Sequence, residues 1–151
     1  MKTITILTSR DSWYVEYAQK ILDALKNQGY CTNLAHSVQG LSGGDVCFVL
    51  SFDKIVSSES LSLYKHNVVC HASDLPRGKG MSPMSWQILE GASRIPLTMF
   101  EAAESVDSGR IYKKFFFDLT GDELIDELRS KLAANIQIMV LDFVKNTDFF
   151  V

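Results

Sequence analysis

The sequence predicts an α/β protein built on a single doubly wound, mostly parallel sheet with helices on both faces. Three observations predict it. The β-branched, apolar run at 3–8 and the continuously apolar run at 45–51 read as strands covered on both faces, because a half-solvated strand would alternate with polar residues, and 67–71 reads as a further strand. Segments of helical period separate these runs, as parallel strands require crossover helices. The chain also closes on a long helical pattern, with Leu124, Leu128, Leu132, Ile136, Met139 and Phe143 recurring every three or four positions.

Each element follows in order. Residues 3–8 are β-branched and apolar and form the first strand. Ser9-Arg-Asp-Ser12 is a turn and helix-start signal. A helix is expected over 13–27, with Tyr14, Tyr17, Ala18, Ile21, Leu22 and Leu25 on one face and Gly29 closing it. Residues 30–36 form a weaker second strand, 41–44 a turn, and 45–51 the third strand. A short helix at 57–63 leads to the fourth strand at 67–71. Pro83 starts a helix at its first position, through Trp86, Ile88 and Leu89 to Gly91. Strands at 95–102 and 110–118 flank a loop containing Asp107. Thr120 or Gly121 starts the last helix, which would put Asp122 and Glu123 in its first turn, where acidic side chains meet the positive end of the dipole.

Composition narrows the function classes. The chain has 151 residues, enough for one domain with a substantial core, and no repeat or linker marks a boundary, so a single domain over 1–151 is expected. Hydrophobic residues make up 46% and charged residues 22%, as in ordinary soluble domains. A net charge of −3 disfavours non-specific nucleic-acid binding, which needs a basic face. Cys31, Cys47 and Cys70 lack CxxC spacing, and an odd number cannot all pair, so reduced thiols in the cytoplasm are expected. The first apolar run is too short for a signal peptide or a membrane span. The histidines and cysteines lack metal-ligand spacing, so no metal is expected.

Chemistry concentrates in His71-Ala-Ser-Asp-Leu-Pro-Arg-Gly-Lys-Gly-Met-Ser-Pro83 and in Val106-Asp107-Ser-Gly109. An imidazole at a strand end, beside a loop whose backbone can approach a ligand, is a common layout for an open α/β site. Taken alone, His71 reads equally as an acid/base and as a hydrogen-bonded structural histidine. Asp107 alone is a turn aspartate. Leu75-Pro-Arg-Gly-Lys-Gly80 lacks the Gly-x4-Gly-Lys-Ser/Thr order and is not a triphosphate loop. Arg77 and Lys79 read equally as contacts to an anionic substrate and as solvated loop charges.

Taken together, the segment from Asp45 to Tyr112 resembles the folate-dependent formyltransferases. Their pattern is Asn-x-His-x-Ser-x-Leu-Pro, a glycine-rich loop, a helix starting near a proline, then Asp-x-Gly. Here it stands as His71-Ala-Ser73-Asp-Leu75-Pro76, Gly78-Lys-Gly80, Pro83 with Trp86, and Asp107-Ser-Gly109. The chain departs from the pattern at Val69, where the family carries its catalytic asparagine. Asn67 lies four positions before His71, on the same side of an alternating strand. With Ser73, it is the candidate substitute.

The resemblance implies transfer of a formyl group from 10-formyltetrahydrofolate to a primary amine, without a metal. A base must take the amine proton, and the developing oxyanion must be stabilised. His71, Asp107, Asn67 and Ser73 are the expected catalytic residues. Asp107 would orient the imidazole and stabilise its charged form. Phe52, Asp53, Lys54, Ile55, Val56 and Leu75, with Asp107, would hold the folate. Arg77, Lys79 and Gly80 would meet the substrate. The motif wording, with Ser82-Pro83-x-Ser85-Trp86 and Phe100-Glu-Ala, is most similar to small bacterial enzymes that formylate amino sugars, some of them in nonulosonic-acid synthesis. A UDP-linked amino sugar is therefore the expected acceptor. Chain length and charge both point away from a tRNA. Three alternatives stay open: a formyltetrahydrofolate hydrolase, a non-catalytic module binding folate or a sugar nucleotide, and a flavodoxin-like regulatory or flavin-binding domain, against which stands the lack of glycine in Ser9-Arg-Asp-Ser12. Phe149-Phe150-Val151 reads equally as a tail docking on a second copy and as a segment packing on its own core.

Overall fold

The structure is a computed structural model, and it describes residues 2–75, 83–103 and 109–146. The elements run β1 (Thr3–Leu7), α1 (Val15–Asn27), β2 (Cys31–Ala35), β3 (Gly44–Val49), α2 (Ser58–Leu61), β4 (Tyr64–His71), α3 (Pro83–Leu89), β5 (Arg94–Glu101), β6 (Ile111–Asp118) and α4 (Ile125–Lys145). The strands form a six-stranded sheet in the order β2-β1-β3-β4-β5-β6. β1 pairs in parallel with β2 and with β3, and β3 with β4, while β5 and β6 are antiparallel. This is the α/β, mostly parallel arrangement the apolar runs predict. Among the described residues, no helix is long and apolar enough to cross a membrane.

The chain divides into two compact units, Met1–Val69 with Glu101–Glu104, and Cys70–Phe100 with Ser105–Val151. In the first, Ile4, Ile6, Leu7, Val46, Phe48 and Val68 are buried, as expected for strands covered on both faces. Leu7, Ala35, Cys47, Val56 and Tyr64 form one cluster, with Phe52 and Leu61 packed against it. α1 buries Ala18, Ile21, Leu22 and Leu25, the face its periodicity predicts. It ends in a Schellman motif: Gly29 N–H donates to the Lys26 carbonyl at 3.0 Å and Tyr30 N–H to the Leu25 carbonyl at 3.1 Å. Gly29 has φ +97°, so its glycine has a backbone reason. Gly44 has a packing reason, because a Cβ there would lie 2.8 Å from the Thr3 Cγ2. In the second unit, β5 buries Ile95 through Phe100. α4 buries Ala133, Ile136, Met139, Val140, Phe143 and Val144. The Tyr112 and Phe143 rings meet edge to face at 5.2 Å.

Two boundaries differ from expectation. β4 begins at Tyr64, before the expected run, because Tyr64 already pairs with Gly44 of β3, and its hydroxyl has a buried partner in the Thr5 Oγ1 at 3.0 Å. α4 begins at Ile125, with Asp126 and Glu127 in its first turn instead of Asp122 and Glu123. The Glu123 carboxylate is engaged upstream, accepting from the N–H groups of Thr120 at 3.0 Å and Gly121 at 2.7 Å and from the Lys131 Nζ at 3.0 Å. It closes a turn before the helix instead of capping it. Leu124, expected on the buried stripe, precedes the first helical residue and is 71% exposed.

Candidate active site

In the second unit, His71 is the last residue of β4, at the carboxyl end of a parallel strand where open α/β sheets bind ligands. The turn that follows is pinned by side chains from three elements. Gln87 of α3 donates to the Ala72 carbonyl at 2.6 Å. Thr98 of β5 donates from Oγ1 to the Ser73 carbonyl at 2.6 Å, in a buried setting. Lys114 of β6 donates to the Leu75 carbonyl at 2.8 Å and pairs with the Asp74 carboxylate at 2.7 Å. The Ser73 N–H returns to the His71 carbonyl at 2.9 Å. Such a turn holds its backbone groups in fixed directions, the condition for precise placement of a reacting group.

The Ser73 hydroxyl is the exception in this network. Ser73 is 1% exposed, and its Oγ has no hydrogen-bond partner among the described residues. A buried hydroxyl without a partner costs about 1–3 kcal/mol and calls for a reason. Three residues earlier in the chain, burial pushes the Cys70 thiol up to about 12.

In the first unit, the segment after β3 carries the expected folate residues. Ser51 has φ +53°, a left-handed conformation uncommon outside glycine. Its carbonyl accepts from the Ser9 N–H at 3.2 Å, and its hydroxyl lies 2.6 Å from that of Ser12. The Ser9 hydroxyl donates to the Asp53 carboxylate at 2.8 Å and accepts from the Asp53 N–H at 3.0 Å. Val56 and Phe52 anchor the loop on the core cluster, while Lys54 and Ile55 are exposed. The backbone groups of Phe52, Lys54, Ile55 and Val56 pair with no protein group among the described residues.

Asn67 sits differently from expectation. It is 6% exposed, and its Nδ2 donates to the Leu61 carbonyl at 2.7 Å, bracing β4 against the end of α2. Its backbone N–H donates to the Glu101 carboxylate at 2.9 Å. Leu75 is buried at 2% exposure, so its side chain serves the core of its unit. Asp107, Arg77, Lys79 and Gly80 lie outside the described residues, as does the Phe149-Phe150-Val151 tail.

Residues 14–142 match the formyl transferase family. The chain belongs to that family. A methionyl-tRNA formyltransferase of Sulfurihydrogenibium sp. (strain YO3AOP1) is 30% identical over 105 residues, covering 67% of this chain and 34% of that protein. The chain thus spans about a third of the length of the curated relatives it matches. HypX from Aquifex aeolicus in complex with tetrahydrofolic acid aligns with a TM-score of 0.79 at 18% identity, over 96% of this chain and 26% of that one. Phosphoribosylglycinamide formyltransferase from Streptococcus pneumoniae TIGR4 aligns with a TM-score of 0.69 at 17% identity, over 96% and 98% of the two chains. At these identities the two structures show the formyl transferase fold. Within that fold, the expected His71 lies at the end of β4 and Ser73 on the turn after it. Sequence reasoning missed the side chains that clamp that turn, since Gln87, Thr98 and Lys114 carry no local signal.

Proposed function

We propose that this chain transfers a formyl group from 10-formyltetrahydrofolate to a primary amine, with His71 handling the amine proton. One observation carries the reading: the family's histidine motif stands at the end of a parallel strand, on a turn clamped by Gln87, Thr98 and Lys114. Bound folate supplies an activated one-carbon unit at the formyl oxidation level. The chain's own residues do the rest. The His71 imidazole accepts the proton the amine loses as its bond to the formyl carbon forms, and returns it to the folate nitrogen as the bond from that nitrogen to the formyl carbon breaks and tetrahydrofolate leaves. Asp107, assigned by its place in the motif, orients that imidazole. Asn67 has its amide nitrogen committed to Leu61, so the donor to the formyl oxygen in this proposal is the unpaired Ser73 hydroxyl. The open backbone of Phe52 and Lys54–Val56 receives the pterin.

For the acceptor, we propose an amino sugar carried on a nucleotide. The wording of the motif supports it, as does the net charge of −3, which is unfavourable to a tRNA. The test is an end-point mass measurement with 10-formyltetrahydrofolate and a panel of UDP-linked 4-amino sugars, with methionyl-tRNA as comparison. A formyl mass gain on a sugar that vanishes in His71→Ala supports the proposal. A gain on the tRNA alone replaces the acceptor. Release of tetrahydrofolate without an amine converts the reading to a hydrolase. Folate binding with no turnover on any acceptor reduces it to a binding module.

A further inference from the structure

The loop after β3, anchored on the core by Phe52 and Val56, is also tied to the segment after β1. Ser9 grips Asp53 twice through one oxygen, donating to the carboxylate at 2.8 Å and accepting from the backbone N–H at 3.0 Å. That double bond fixes both the side chain and the peptide of Asp53. Ser51, two residues earlier, is held left-handed by bonds from the Ser9 N–H and the Thr8 hydroxyl to its carbonyl, and by the Ser12 hydroxyl beside its own. A disfavoured backbone conformation persists where the surroundings over-determine it. The clasp spans 44 positions of sequence and lies at the carboxyl ends of the paired strands β1 and β3. Those strands flank the point where the sheet order reverses, since β2 and β3 lie on opposite sides of β1.

We infer that Ser9 and Asp53 are positioning residues that hold the loop of Phe52–Val56 in its ligand-ready shape and so set the affinity for reduced folate. The inference rests on the reading of that loop as the folate loop. It gives Asp53 a different task from the one its sequence position implies. Its Oδ1 and its backbone N–H both bond to Ser9, so it acts on the ligand through the loop. Without the clasp, Lys54 and Ile55, both exposed, would lose a fixed backbone. The ligand would then have to order them on binding, and that conformational cost weakens affinity.

The experiment is a calorimetric titration of the full chain with 5-formyltetrahydrofolate, with the thermal midpoint recorded in parallel. Ser9→Ala removes both bonds and should weaken binding about tenfold while leaving the midpoint nearly unchanged, because the lost bonds are exposed. Ser9→Thr keeps the hydroxyl and should restore affinity. Asp53→Asn keeps an acceptor and the N–H and should bind as wild type, whereas a direct charge contact with the ligand would make it bind weakly. If Ser9→Ala also lowers the midpoint, Asp53→Ala, which cuts only the carboxylate tie, should still weaken binding at an unchanged midpoint. Wild-type binding with unaltered affinity in both alanine variants overturns the inference alone. No binding by the wild-type chain overturns the folate reading and the inference with it.

Discussion

Ser73 is a residue whose stability and function should pull apart. Its hydroxyl is buried and unpaired among the described residues, so the fold gains nothing from it. Ser73→Ala should leave the urea unfolding free energy equal or higher by up to about 1 kcal/mol, because an unsatisfied polar group is removed. The same change should lower formyl transfer on the order of 100-fold if the hydroxyl is the donor to the formyl oxygen. Loss of stability without loss of rate would show a purely structural serine. His71 and Ser73 stand out in the sequence because their motif is contiguous. Asn67 was legible as a residue of β4, but its commitment to Leu61 depends on where α2 ends. The Ser9–Asp53 clasp left no mark in the sequence, since a serine in a turn and an aspartate in a loop are individually ordinary.

Among the elements, α4 shows best how a local signal misleads. Thr120-Gly-Asp-Glu123 reads as a helix start, yet the helix begins at Ile125. Glu123 instead ties the preceding turn to Lys131, one carboxylate serving two backbone N–H groups and an ammonium. Burial alone would raise the Glu123 carboxyl above its ordinary 4.5; the bonds from Lys131, Thr120 and Gly121 outweigh it and hold it well below. A carboxylate depressed in the folded state adds stability above its unfolded value and loses that contribution as pH falls below about 4.5. Glu123→Gln should therefore show a shallower fall in stability than wild type between about pH 4.5 and lower values, read by denaturant titration at several pH values. Parallel acid limbs would exclude Glu123 as a contributor. The strands were read more accurately than this helix, because continuous apolar runs report burial on both faces directly. β4 extends back over Tyr64-Lys65-His66, which looks polar in sequence, because Tyr64 pairs with Gly44 of β3 and buries its hydroxyl against Thr5.

At the scale of the whole molecule, the sheet order makes an uneven protein. β1 has β2 on one side and β3 on the other, and Ile4, Ile6 and Leu7 are fully buried, while β2 stands at an edge with Cys31 and Asn33 exposed. Native-state hydrogen exchange should find the β1 amides among the slowest of their unit and those of β2 faster by at least about tenfold. Equal protection of the two strands would contradict this order of stabilities. The fold class was readable because strand pattern and helix period agree along the chain. The site was readable only in part, because a motif names residues while tertiary partners decide which of their atoms are available. Ser51 carries this into sequence variation. Its side chain is exposed, yet its left-handed backbone restricts what can replace it. In a saturation library selected for folded protein, glycine and asparagine should be enriched there and valine and isoleucine depleted. A surface position would then evolve under constraints usually met only in a core.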